Sequence, residues 1–162
     1  LSPEIVTKIT GFLNAIGIET VMRPIVQATF LPGLLLEKGT IVIDTDKLLH
    51  PGDILHEAGH LAAYAPEERK TISDPLPETM ADGFEIMALA WSYAACLYIS
   101  LDPSVVFHAE GYKGEGGNIL KNFAEGRYIG VPMLQYLGLA YDAKKALELN
   151  VPPYPVMIRW LR

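Results

Sequence analysis

The chain has 162 residues, half of them apolar, with 13 Lys and Arg against 19 Asp and Glu and a formal charge of −6. That length suits one domain, or a core with an appended subdomain, and a mean hydropathy of +0.21 promises a substantial core. The acidic balance, with cations adjacent only at Arg69-Lys70 and Lys144-Lys145, excludes a nucleic-acid surface, and the lone Cys96 excludes an internal disulfide or a cysteine-built metal site.

Leu1 in place of Met suggests a trimmed N-terminus. Ser2 before Pro3 reads as a capping residue, and Ile5, Ile9, Phe12, Leu13 and Ile16 follow helical spacing until Gly17. Residues 18–44 are rich in β-branched and aromatic residues, and LLLEKGTIVID within them predicts a hairpin. A small, mostly antiparallel sheet is expected there.

The next helix begins at Pro51-Gly52-Asp53, carries HEAGH at 56–60 and runs to about Tyr64, where Ala65-Pro66 stops it. A charged loop, PEERKTISDPLP, leads to a long helix opened by Pro77 and closed before Asp102-Pro103. Its apolar stretch, residues 86–101, is too short for a bilayer span of roughly 20 residues. A core helix is the better reading, and with the lone cysteine it sets the expectation of a cytoplasmic protein. Beyond it lie a glycine-rich loop (111–118), a short helix (119–126), one or two helices over 131–149, and an extended tail packed back through Val156, Ile158 and Trp160. The organisation expected is a core over residues 1–100 and a mostly helical extension over 101–162 packed on it, the whole α+β.

Positions i and i+4 of a helix lie about 40° apart around its axis, so His56 and His60 present both imidazoles to one side. Zn²⁺ accepts such nitrogens, and a catalytic site needs three protein ligands and leaves one position open. Glu57, beside His56, is placed to act as general base toward water on a metal. The competing reading is an amphipathic core helix with two satisfied histidines. A third ligand must come from elsewhere. Glu78, Asp82 and Glu85 share one stripe of the following helix, and three acids on so apolar a helix are costly if buried without a cation. Glu78, in the first turn, is the preferred ligand, with Asp82 one turn on to accept a ligating histidine's N–H. Glu85 is either the alternative ligand or a salt-bridged, water-facing rim residue.

HExxH followed on a separate helix by Glu78-Thr-Met-Ala81-Asp82-Gly-Phe84 resembles the gluzincin metallopeptidases, and most closely their minimal ImmA/IrrE-like group. Gly33 and the strand Ile41-Val42-Ile43-Asp44 resemble that group's approach to the active helix. The resemblance covers residues 1–100. It implies a zincin-like core, one Zn²⁺ per chain held by His56, His60 and Glu78, and Glu57 as base of a peptidase acting on a peptide or protein. The chain departs from the group's pattern at Glu85, where an Ala is usual, and in lacking a helix-turn-helix domain.

An oxyanion donor is not supplied by these motifs, and His108, Tyr112 and Tyr128 are the candidates beyond the core. His50 reads as a helix-start residue rather than a ligand, and Cys96 as an inert core thiol. The strand at 40–44 is expected to pair with an extended substrate. A metal-retaining, non-proteolytic module that binds or senses a protein partner is the alternative function. The Trp91, Tyr93 and Tyr98 cluster suits either core or a homo-oligomer surface.

Overall fold

A computed structural model describes residues 2–76, 82–109 and 111–162, the side chain of Asp82 excepted. Helix α1 (Pro3–Ile16) starts on the fixed φ of Pro3 and ends at Gly17, whose left-handed φ of 100° lets its N–H reach back to Leu13 and Asn14. Val6, Ile9, Phe12 and Leu13 bury the predicted stripe. Ser2 occupies the cap position, but its side chain makes no capping bond; its carbonyl instead accepts from Ile5 and Val6.

The sheet is smaller and more mixed than the sequence suggests. Strands β1 (Thr20–Met22), β2 (Leu34–Glu37) and β3 (Thr40–Ile43) lie in the order β1-β3-β2. β2 and β3 form the predicted antiparallel hairpin across Lys38 and Gly39, both at positive φ (51° and 78°). β1, however, runs parallel to β3, so half the pairing is parallel rather than mostly antiparallel. The reason is the segment 23–33, which carries the chain from one edge to the other without pairing as a strand. It crosses the outer face, where Ile25 packs with Leu35 and Val42. Asp44 holds it there by accepting from the Ile25 N–H at 2.9 Å, and Lys47 donates to the Ile25 carbonyl.

The other face of the sheet, through Leu34, Leu36, Ile41 and Ile43, joins the main core. Helix α2 (Asp53–Ala62) lies against it and carries HEAGH. It stops two residues short of Tyr64. The expected charged loop begins instead with a helical turn, α3 (Pro66–Arg69), because Pro66 fixes the first φ and the Glu68 carboxylate accepts from the Ala65 N–H. The buried Arg69 guanidinium then donates to the Leu61 and Tyr64 carbonyls, satisfying the orphan acceptors at the end of α2.

Helix α4 (Asp82–Tyr98) packs antiparallel-fashion along α2 with little more than backbone between them. A Cβ on Gly59 would stand 3.0 Å from the Ala88 Cα. Ser92, buried, donates to the Leu55 or Ala88 carbonyl and so satisfies its hydroxyl within this interface. Cys96 is fully buried on the same helix, and burial pushes its thiol up to about 12. No described helix is long and apolar enough to cross a membrane.

The rest of the chain wraps α4. A 3₁₀ turn (Pro103–Val105) and a second at Tyr112–Gly114 precede α5 (Gly116–Ala124), which starts within the glycine-rich stretch expected to be a loop. Helices α6 (Val131–Tyr136) and α7 (Ala143–Leu149) follow. The tail packs back through Trp160 as predicted, its carbonyl accepting from Trp91 Nε1 and its ring meeting Phe12 edge-on. Val156 and Ile158 are exposed, however, and Tyr154, whose hydroxyl donates to the Ala90 carbonyl, is the tail's other anchor. The intervening Pro152, Pro153 and Pro155 deny the tail a strand's alternation, so the two-residue spacing of 156 and 158 does not select a buried face. One core cluster runs from Val6 to Tyr154, through both parts of the chain.

Candidate metal centre

The geometry of α2 gathers Asp53, His56, Glu57 and His60 on one side, at i, i+3, i+4 and i+7. His56 and His60 are buried, their rings at right angles, with the two Nε2 atoms 3.0 Å apart. Glu85, from the first turns of α4, closes the triangle: its Oε1 lies 3.1 Å from His56 Nε2 and its Oε2 3.1 Å from His60 Nε2. Gly59 makes this reach possible, since the close approach at Ala88 comes less than one turn after Glu85.

Two Nε2–H groups could each donate to one oxygen of Glu85, but at 3.0 Å their protons would crowd each other, whereas a cation among the three groups satisfies all of them at once. Ligands held about 2.0–2.1 Å from a tetrahedral ion stand about 3.3 Å apart, close to the separations here. The surrounding charge agrees. Asp53, Glu57, Asp74 and Glu85 line the same pocket, and Lys113 is its one fixed cation among the described residues. His56, Glu57 and His60 each offer a ligand atom within 4.8 Å of the others, so this group lies in reach of a single metal ion, and the donor set fits one.

Protonation follows from the same contacts. Hydrogen bonds from His56 and His60 hold the Glu85 carboxyl well below the usual range. Burial works against charge on both imidazoles; it prevails at His60, lowering it, while Glu85 outweighs it at His56, raising it. Glu57, which has no such partner among the described residues, is pushed by burial up to about 7.

The pocket, about 870 Å³, has two unlike walls. One is apolar, with Phe30, Leu31, Leu34, Leu36 and Leu76; Phe30 is almost wholly exposed at the lip. The other is polar and comes from the C-terminal part of the chain. There the His108 ring stacks on His50 at 3.7 Å, and its Nε2 stands 3.5 Å from Asp53 Oδ1. Tyr112 places its hydroxyl 3.3 Å from His56 Nδ1.

Of the residues the sequence singles out, the structure brings together His56, Glu57, His60, Glu85, His108 and Tyr112. Glu78 lies outside the described residues, as does the Asp82 side chain; His60 Nδ1 has no partner among the described residues. Tyr128 is not brought to the pocket: it packs on Tyr154, Phe123 and Tyr93, because the chain turns away through α5 before reaching it. Strand 40–43 does not offer an edge for a substrate, being flanked by β1 and β2. β2 is the strand beside the pocket, and Asp74 engages both the N–H and the carbonyl of Leu36 on its outer edge. His50, expected as a helix-start residue, and Asp53, to which the sequence assigned no role in the site, both line the pocket. Asp53 was legible as a fourth member of the HEAGH stripe; the stacking of His50 on the distant His108 was not. No family model, curated protein or solved structure matches the chain.

Proposed function

We propose that the protein is a zinc-dependent peptidase in which His56, His60 and Glu85 hold the metal and Glu57 is the general base. The observation that carries this reading is the convergence of two imidazole nitrogens and one carboxylate at 3.0–3.1 Å on the wall of an open pocket, with a second carboxylate, Glu57, beside them. Assigning the third position to Glu85 rather than Glu78 rests on those distances. A His₂Glu set suits Zn²⁺ among the common divalent ions.

When bound there, zinc would supply Lewis-acid polarisation of the scissile carbonyl and of the attacking water. Glu57 takes the proton of that water and returns it to the leaving nitrogen. Its carboxyl, pushed up to about 7 by burial, is matched to both halves of that transfer near neutral pH. The wall from Phe30 to Leu36 receives an apolar side chain of the substrate, while His108 turns its Nε2 to Asp53, keeps its Nδ1 buried and stacks on His50, which shapes the polar wall opposite.

Glu57→Gln tests the chemistry, because it keeps the shape and removes the base. With a fluorogenic peptide library, zinc-loaded wild type is expected to cleave and the variant to bind zinc normally but lose about 100- to 10,000-fold in rate. Indistinguishable behaviour of the two zinc-loaded proteins toward every peptide would leave a metal-retaining binding module as the reading. Zinc affinities of Glu85→Gln and Glu78→Gln decide the third ligand: the loss belongs to Glu85.

A further inference from the structure

The C-terminal part of the chain does more than roof the pocket. At its second 3₁₀ turn Tyr112, Lys113 and Gly114 all take positive φ (55°, 56° and 85°). Two successive non-glycine residues in that region are unfavourable, and such backbones persist where surrounding contacts over-determine them. What this backbone achieves is the position of one side chain. The Tyr112 ring is wedged between Phe107 (5.8 Å) and the His56 ring (5.6 Å, edge-on), and its hydroxyl reaches His56 Nδ1 at 3.3 Å. The opposite nitrogen of the same imidazole, Nε2, is the one that faces His60 and Glu85.

We propose that Tyr112 is a positioning residue for the metal: its hydroxyl oxygen accepts the Nδ1 proton of His56, fixing the tautomer in which Nε2 is the free ligand nitrogen. An imidazole can expose either nitrogen, and which one binds is set by the hydrogen bond that the other makes. His60 lacks an equivalent partner among the described residues, so the two histidines differ in this respect. The inference rests on the metal reading above and adds to it a residue 52 positions beyond the HEAGH motif, in a part of the chain that the motif does not specify.

The test uses the full chain and zinc alone. Tyr112→Phe keeps the ring in its wedge and removes only the hydroxyl. Zinc affinity, measured by competition with a chromophoric chelator, is expected to fall about 10- to 100-fold in Tyr112→Phe, while Tyr128→Phe, remote from the pocket, binds as wild type does. Nitrogen-15 NMR of the zinc-loaded wild type supplies a reading independent of any variant, with the His56 proton expected on Nδ1. Tyr112→Phe binding zinc within twofold of wild type overturns the proposal, and so does metal on His56 Nδ1. A wild type that binds no zinc overturns the metal reading itself, which separates the two failures.

Discussion

Gly59, the fourth residue of HEAGH, is where packing and metal geometry meet most directly. Its added Cβ would stand 3.0 Å from the Ala88 Cα, 3.1 Å from the Ala88 oxygen and 3.2 Å from the Ala88 Cβ. Ordinary carbon contacts lie at about 3.5–4.0 Å, so even alanine requires α2 and α4 to part by a few tenths of an ångström. Alanine also gains about 0.5–1 kcal/mol over glycine inside a helix. Set against an overpacking cost of about 1–3 kcal/mol, Gly59→Ala should be mildly destabilising at most. Gly59→Val drives two further carbons into the Ala88 backbone and recovers less propensity. It should cost about 2–3 kcal/mol, a fall in melting temperature of roughly 5–10 °C at this chain length. Glu85 is carried on the same stretch of α4, so its 3.1 Å spacing from both histidines must lengthen. A strain of only about 1.4 kcal/mol carried into the ligand set is a tenfold loss of zinc affinity. Thermal melts of the zinc-free variants and chelator competition of the same samples read both effects. A Gly59→Val protein that melts and binds zinc like wild type would refute the claim that the α2–α4 approach places Glu85.

Gly52→Ala makes a related prediction at the other end of α2. Its φ of −64° suits any residue, but a Cβ would lie 2.1 Å from the Val105 oxygen and 2.6 Å from the Val106 Cα. The 103–114 segment must then lift from α2, and zinc affinity should fall about as far as in Tyr112→Phe; unchanged affinity with an unchanged melting temperature would show that the approach is not tight. Asp44 gives a pH prediction. The Ile25 N–H, then that of Asp46, and the Lys47 ammonium lower its carboxyl below the ordinary value despite burial. A lowered folded-state value means that the ionised group stabilises the fold above about pH 4, and that this contribution disappears as pH falls through the lowered value. Asp44→Asn should therefore melt below wild type at pH 7, with the gap closing towards pH 3. A gap independent of pH would detach the 23–33 segment's anchorage from the charge.

What could be read from the sequence is what local geometry dictates. A helix turns about 100° per residue whatever surrounds it, so HEAGH alone sufficed to put His56, Glu57 and His60 on one side. The Lys38-Gly39 hairpin and the ends of α1 were likewise legible, because glycine and proline act on their own backbone. The direction of β1 was not, since a parallel pairing depends on where the unpaired segment 23–33 lies across the sheet. Nor could the spacing of acids on α4 decide which carboxylate meets the histidines: that depends on how closely two helices approach at Gly59 and Ala88. His108 and Tyr112 reach the pocket because the core buries Val106 and Phe107 just before them. Loop closure over some fifty residues leaves no periodic trace in the sequence. The amino-acid order thus determined a pair of imidazoles and a carboxylate with a shared direction, and only the packing of α4 and the C-terminal segment against α2 decided what faces them.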